Sequence, residues 1–306
     1  MRTEKIEKHT YLIDLQTAGI KNFIASYVLK GEKTIIVETG PTSSVPNLLS
    51  GLKELNVNPE DVAYVAVSHI HLDHAGGTGT LLKHLPNARV IVHPRGAPHL
   101  ANPEKLWEQS RNVLGRITDL YGAPEPVPQE RIVGAVDGMT LDVGGTVSLR
   151  VLETLGHASH HLSYFELSSE GIFPGDAAGI YLNEIGVILP TTPPPFRLDI
   201  ALASLERLRQ LKPKVLYYSH FGKADDAIGK LQSYEGQLRL WAAIAKQGVD
   251  NKEGLEEISR KIVESDVAVQ KAREYVKSHP VFSETVLGES VRGFVDFVQK
   301  YGAVPT

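Results

Sequence analysis

The stretch Ser68-His69-Ile70-His71-Leu72-Asp73-His74-Ala75-Gly76-Gly77 places three imidazoles and one carboxylate within six residues. It directly follows the apolar, strand-like run Val62–Ser68. Buried polar side chains need hydrogen-bond partners, and four of them clustered at a strand end would leave several unsatisfied. A divalent metal ion would satisfy them, because neutral imidazole and carboxylate are good ligands for Zn²⁺, Fe²⁺ and Mn²⁺. Since alternate residues of an extended segment face the same way, His69 and His71 are predicted to share one ion. After the turn, the aspartate and the third histidine can reach a second ion.

Four motifs, each at a predicted strand end, resemble the signature of the metallo-β-lactamase superfamily. The first is H-x-H-x-D-H followed by A-G-G, and the others are Thr154-Leu155-Gly156-His157, Phe173-Pro174-Gly175-Asp176 and Tyr217-Tyr218-Ser219-His220. The match covers about residues 10–222. The resemblance implies an α/β fold, the αββα sandwich of that superfamily, here with a helical insertion and a helical C-terminal extension.

The resemblance also implies a centre of two divalent metal ions. Carried over by position, the first ion is held by His69, His71 and His157, and the second by Asp73, His74 and His220, with Asp176 bridging them. Zinc is the expected metal and iron or manganese are the alternatives, because His and Asp ligands suit all three. Water held between two such cations has its pKa lowered from about 15.7 toward about 7, which gives a bridging hydroxide nucleophile at neutral pH. Asp73, beside that hydroxide, is the candidate catalytic residue for taking or returning a proton.

Further residues are candidates for supporting roles. Glu38-Thr39-Gly40 lies where many relatives have Asp-Thr-Gly, and its carboxylate is predicted to orient the metal-binding loops. His161, four residues after His157, is weighed as support for a ligand against a purely structural role. Tyr181 and Phe196 are candidate substrate-pocket residues, weighed against plain packing.

The composition narrows the chemistry. The chain has 306 residues, 12 histidines and no cysteine, which excludes a disulfide framework, a thiolate nucleophile and a cysteine-based metal site. A net charge of −4 offers no attraction for a polyanion, so a nucleic-acid partner is not expected. The polar start MRTEKIEKHT and the lack of an apolar run of about 18 residues predict a cytoplasmic protein without a membrane partner. A small-molecule substrate is the partner that remains.

Hydrophobic periodicity divides the chain into two parts. Residues 1–222 alternate strand-like runs with helical segments and predict the catalytic domain, with a helical insertion at about 94–128. Within the insertion, Pro103 is predicted to open a helix that runs to about Tyr121. Residues 223–306 have apolar i, i+3, i+4 spacing without strand-like runs and predict an extension of three or four helices. The insertion and the extension are candidate surfaces for a homodimer.

The ligand set defines a reaction type better than a substrate, because one fold serves several chemistries. It favours a metal-dependent hydrolase, glyoxalase II-like or lactonase-like, that attacks the carbonyl of a small ester, thioester or lactone. The substrate stays open because residues 223–306 contain no Asn-Pro-Phe type glutathione-binding signature. Gly179 also stands where homoserine lactonases usually carry a tyrosine. The alternatives are a mononuclear-iron persulfide-dioxygenase-like oxidoreductase, which binds one iron through two histidines and the aspartate, and a phosphodiesterase.

Overall fold

The structure is a computed structural model that describes residues 2–302, apart from the side chains of residues 284–286. The chain forms two compact units. The sandwich unit contains residues 2–153, 160–175 and 214–225, and the helical unit contains residues 154–159, 176–213 and 226–302. Each unit therefore draws on segments that are far apart in the sequence.

A seven-stranded sheet forms the first half of the sandwich unit, with its strands in chain order. Its strands are β1 (Thr3–Lys5), β2 (Thr10–Asp14), β3 (Ala25–Lys30), β4 (Thr34–Val37), β5 (Val62–Ala66), β6 (Arg89–Val92) and β7 (Ile132–Gly134). Neighbours from β1 to β4 pair antiparallel, and neighbours from β4 to β7 pair parallel. The parallel half carries the connections long enough to contain helices, as parallel pairing requires.

The remaining strands of the described chain are β8 (Thr140–Asp142), β9 (Ser148–Glu153), β10 (Leu162–Glu166), β11 (Gly171–Phe173), β12 (Ile180–Leu182), β13 (Val187–Leu189), β14 (Val215–Tyr218) and β15 (Gly222–Asp225). Six of them form the second sheet of the sandwich unit, in the order β15-β14-β11-β10-β9-β8. Its neighbours pair antiparallel except β11 and β14, which pair parallel. Strands β12 and β13 form a separate hairpin in the helical unit.

The core of the sandwich unit lies between the two sheets, where alternate residues of the strands face each other. The inward-facing pairs include Tyr27 and Leu29, Leu149 and Val151, Leu162 and Tyr164, and Val215 and Tyr217.

Two buried tyrosines join the sheets by reciprocal hydrogen bonds. The Tyr27 hydroxyl on β3 donates to the Tyr218 carbonyl oxygen on β14 at 2.6 Å, and the Tyr164 hydroxyl on β10 donates to the Val67 carbonyl oxygen at 2.7 Å. Burial raises the pKa of both phenols well above the usual value, and the charge of Glu38 adds to this, so both stay protonated donors. Each accepting carbonyl lies two residues before a predicted ligand, Val67 before His69 and Tyr218 before His220. These bonds therefore fix where the two ligand-bearing strand ends lie.

Six α-helices belong to the described part of the sandwich unit. They are α1 (Val45–Glu54), α2 (Leu72–Ala75), α3 (Thr78–Leu82), α4 (Ala97–Ala101), α5 (Glu104–Leu114) and α6 (Ile117–Tyr121). Helix α1 approaches β2 so closely that a Cβ atom at Gly51 would lie 2.6 Å from Ile13 Cγ2. The helix predicted from Pro103 to Tyr121 is divided into two, α5 and α6, because Gly115 takes a positive φ of 53° and ends α5.

The described part of the helical unit contains the hairpin and five α-helices. They are α7 (Leu198–Gln210), α8 (Ala227–Asp250), α9 (Leu255–Ser265), α10 (Val267–Ser278) and α11 (Phe282–Tyr301). Asp266 is buried and caps α10, since its Oδ1 accepts from the Ala268 N–H at 2.8 Å. Its Oδ2 accepts from Trp241 Nε1 at 2.7 Å, which ties α10 to α8. Among the described residues, no helix combines the length and the apolar character of a membrane span.

The structure differs from the sequence predictions in the second half of the chain. The expectation that no strand follows Lys223 is wrong, because β15 (Gly222–Asp225) pairs antiparallel with β14. The compact units also follow a different division from the ranges 1–222 and 223–306, since the helical unit takes up residues 154–159 and 176–213 as well. Four helices, α8 to α11, follow in the described part of the extension.

We expect Tyr164→Phe to lower the free energy of unfolding by about 1–3 kcal/mol, because the Val67 carbonyl would stay buried without its donor. Urea denaturation measures this change. Tyr64→Phe is the matched control, since Tyr64 lies on β5 with a partly exposed side chain. Equal losses in the two variants would contradict the role given to the Tyr164 hydrogen bond.

Candidate metal centre

The segment between β5 and α3 carries four of the predicted ligands. His69 and His74 are fully buried, whereas His71 and Asp73 are partly exposed. His71 precedes the single turn of α2, so the backbone changes from extended to helical between the second and the third ligand. The rings of His69 and His74 nevertheless lie close together, with 4.1 Å between their centres. Gly77 follows this turn at a place with little room for a side chain, since a Cβ atom there would lie 2.8 Å from Val45 Cγ2.

Two histidines of the sandwich unit have their tautomers fixed by their partners. His220 Nδ1 lies 3.0 Å from the Phe23 carbonyl oxygen, which can only accept, so Nδ1 carries the proton. His74 Nδ1 lies 3.1 Å from Glu38 Oε2 and donates to that carboxylate. When these rings are neutral, as metal ligands must be, the lone pair of each is therefore on Nε2.

These lone pairs converge with a carboxylate oxygen. His74 Nε2, His220 Nε2 and Asp73 Oδ2 lie 3.3, 3.4 and 3.8 Å from one another. Three acceptors so close together repel each other unless a proton or a cation lies between them. A point about 2.0 Å from all three atoms exists in this triangle, which is the bond length that zinc makes with imidazole nitrogen and carboxylate oxygen. The triangle therefore fits a divalent ion.

The other two ligands of this unit, His69 and His71, also lie together. His69 Nε2 and His71 Nδ1 are 2.9 Å apart, and the ring centres are 4.4 Å apart. His69 Nδ1 lies 2.9 Å from the Ser68 hydroxyl, which holds the ring from its far side. The alternation of an extended segment thus brings the first and third residues of the motif to one place.

The helical unit brings together the remaining two ligands. His157 Nδ1 donates to the Thr191 carbonyl oxygen at 2.8 Å, so its lone pair is on Nε2 as well. His157 Nε2 lies 3.4 Å from Asp176 Oδ2, again two acceptors facing each other. Both side chains are buried and line one narrow cleft. The other residues of this cleft are Leu155, Ala177, Phe196, Ala201 and Tyr234.

Glu38 supports the ligands of the sandwich unit as the sequence predicts. Its side chain is 1% exposed, its Oε1 accepts from the Ser68 N–H at 3.0 Å, and its Oε2 accepts from His74. One carboxylate therefore orients both the start of the ligand segment and the third histidine in it. His161 is fully buried with its ring centre 5.0 Å from that of His69.

Two predicted pocket residues lie in different places of the helical unit. Phe196 lines the cleft with His157 and Asp176. Tyr181 lies on β12, where Lys230 Nζ stands 4.9 Å from its ring centre. These positions do not show whether either residue contacts a substrate, so the substrate-pocket roles of Tyr181 and Phe196 stay predictions.

Several residues that shape the centre carry no signal in the sequence. The carbonyls of Phe23 and Thr191 fix the tautomers of His220 and His157, yet any residue has a carbonyl. Tyr234 lies in α8, more than fifty residues after Asp176, and only the fold brings it to the cleft.

The fold and these side chains define an α/β sandwich protein with His and Asp residues positioned to bind metal. The family model described as the metallo-beta-lactamase superfamily matches residues 20–220, about two thirds of the chain. The chain belongs to the metallo-β-lactamase superfamily, and the predicted family and fold class are confirmed.

Three relatives illustrate the range of this family. The metallo-beta-lactamase fold-containing protein ST1585 of Sulfurisphaera tokodaii is 34% identical over 201 residues, 64% of this chain and 72% of that protein. The crystal structure of ST1585, described as from Sulfolobus tokodaii, has a TM-score of 0.65 and 26% identity, covering 90% of this chain and 93% of that one. A hydroxyacylglutathione hydrolase of Prochlorococcus marinus is 25% identical over 69% of this chain and 68% of its own. The N-acyl homoserine lactonase AttM of Agrobacterium fabrum is 33% identical over 37% of this chain and 39% of its own.

We expect Glu38→Gln to weaken the binding of one metal ion by about 10- to 100-fold, because an uncharged amide with one oxygen cannot accept from both Ser68 and His74. Titration of the metal-loaded protein with a competing chelator measures this affinity. Glu60→Gln, which changes an exposed carboxylate, is the control and should bind metal as the unaltered chain does. Unchanged affinity in Glu38→Gln would show that the carboxylate has no part in metal binding.

Proposed function

We propose that this protein is a metal-dependent hydrolase that cleaves a small ester, thioester or lactone. The observation that carries the proposal is the triangle of acceptor atoms formed by Asp73, His74 and His220, which fits a divalent ion. The names of two relatives, a hydroxyacylglutathione hydrolase and an N-acyl homoserine lactonase, support hydrolysis of an acyl compound.

The proposed ligand set follows the family motifs. It comprises His69, His71 and His157 for one ion and Asp73, His74 and His220 for the other, with Asp176 as the bridging ligand. When bound, two divalent ions, zinc in our proposal, would supply a hydroxide nucleophile at neutral pH and polarise the carbonyl under attack. The metal identity and the number of ions are part of the proposal.

The exposure of the side chains supports different roles for Asp73 and for the two histidines, His74 and His220. The Asp73 side chain is 24% exposed, whereas His74 and His220 are almost fully buried. Of the three ligands proposed for this ion, Asp73 is therefore the one that substrate and water can reach. Its Oδ1 is the atom proposed to take the proton of the attacking water and return it to the leaving group. The buried histidines keep their tautomers through Glu38 and the Phe23 carbonyl, so they need no rearrangement during turnover.

The cellular setting is also a proposal. We propose a cytoplasmic protein that acts on a small molecule without a nucleic-acid or membrane partner. A homodimer through the helical insertion or the C-terminal helices belongs to the same proposal.

The substrate class is tested by hydrolysis of matched lactones, thioesters and bis(p-nitrophenyl) phosphate, together with oxygen uptake in the presence of glutathione persulfide. We expect hydrolysis of an acyl substrate that stops on exhaustive chelation and returns with zinc. Oxygen uptake with one iron per chain would establish the dioxygenase alternative, and turnover of the phosphodiester alone would establish a phosphodiesterase. Acyl hydrolysis that survives complete metal removal would overturn the mechanism.

We expect Asp73→Asn to lower kcat by at least about 100-fold, because the amide cannot take the proton and is a poorer metal ligand. Steady-state kinetics with zinc in excess measures the change, and metal content is measured on the same samples. Asp119→Asn, at an exposed position of α6, is the control and should leave kcat unaltered. Similar kcat values for the two variants would remove Asp73 from the mechanism.

A further inference from the structure

We propose that Ser290 of α11 is a positioning residue for His157, and that this is what the C-terminal helices contribute to metal binding. The inference rests on the proposed function, since it concerns a ligand of the proposed centre. It assigns a role to residues outside the part of the chain that matches the family model, which ends at residue 220.

The orientation of His157 depends on one backbone carbonyl. The Thr191 carbonyl oxygen accepts from His157 Nδ1 at 2.8 Å, and this bond sets both the ring direction and the tautomer that leaves Nε2 for a metal. Thr191 lies between β13 and α7, in the Pro190–Phe196 loop. A loop has no neighbouring strand to fix its carbonyls, so other contacts must hold this one.

Ser290 holds the residues on both sides of Thr191. Its hydroxyl donates to the Pro190 carbonyl oxygen at 3.2 Å and accepts from the Thr192 N–H at 3.3 Å. Its own carbonyl oxygen accepts from the Thr192 hydroxyl at 3.0 Å. Ser290 is 2% exposed, so water cannot readily replace these bonds if the hydroxyl is removed.

The rest of α11 packs on the same loop. A Cβ atom at Gly293 would lie 1.8 Å from the Thr192 carbonyl oxygen, so only glycine permits this approach. The Phe294 ring meets the Phe196 ring edge to face, with 5.1 Å between centres. The helix therefore fixes the loop from its start to its end.

Helix α8 supplies a further contact at Thr191 itself. The Tyr234 phenol receives a backbone hydrogen bond from Thr191, and the residue lines the cleft with His157 and Asp176. Burial, and then the charge of Asp176, raise the pKa of this phenol, so it stays neutral beside the carboxylate. All three backbone units from Pro190 to Thr192 are thus held by the two C-terminal helices.

The test compares Ser290→Ala with Ser44→Ala in the full-length, zinc-loaded protein. Ser44 is an equally buried serine whose hydroxyl bonds to the Thr17 hydroxyl at 2.7 Å, so it controls for the loss of a buried hydroxyl. The readouts are the zinc affinity from chelator competition, the midpoint of thermal unfolding, and the d–d absorption spectrum after cobalt substitution. A purely structural serine would change the unfolding midpoint alone.

We expect Ser290→Ala to weaken the binding of one zinc ion by about 10-fold or more and to alter the cobalt spectrum. Ser44→Ala should leave the zinc affinity and the cobalt spectrum unchanged. Ser290→Thr, which keeps the hydroxyl, should recover most of the affinity. Gly293→Ala disturbs the same loop by a different route and should show the same metal defect, which covers the case in which Ser290→Ala does not fold.

Two further outcomes separate the inference from the proposed function. If the unaltered chain binds two ions and all four variants match it, the inference is overturned while the proposed function stands. If the unaltered chain binds no zinc, the proposed function itself fails, and the inference fails with it.

Discussion

The site depends on one constraint: acceptor atoms that repel each other must be held close together. In the sandwich unit the lone pairs of His74 and His220 meet the carboxylate of Asp73, and in the helical unit the lone pair of His157 meets Asp176. Such arrangements are costly in a buried place unless positive charge lies between the acceptors. The fold holds them nevertheless, because a hydrogen bond on the far nitrogen of each of these rings fixes its direction.

Those supporting bonds connect ligands to the framework. The reciprocal bonds of Tyr27 and Tyr164 tie the two sheets together next to the strand ends that precede His220 and His69. Glu38, at the end of β4, then reaches both the backbone of Ser68 and the ring of His74. Sheet packing, strand-end position and ring orientation are thus connected by one continuous series of contacts, and these contacts hold the ligands in place.

Part of this followed from the sequence because the four ligand motifs are local patterns, and their resemblance to a known family implied the sandwich. The position of Glu38 beside the ligand segment was implied by the same resemblance. The strand β15, the breaks within the insertion and the β12–β13 hairpin did not follow from the sequence, since they depend on pairing or on a single glycine φ. The roles of Ser290 and Tyr234 could not be predicted from the sequence. A serine and a tyrosine inside amphipathic helices have no distinguishing pattern, and only the fold brings them into contact with the Thr191 loop.

The most direct measurement is anomalous X-ray diffraction at the zinc edge from crystals of the zinc-equilibrated protein. Our account predicts two anomalous peaks per chain, one of them about 2.0 Å from His74 Nε2, His220 Nε2 and Asp73 Oδ2. The absence of a peak among those three atoms, with protons shared between them instead, would contradict the claim that their convergence serves metal binding.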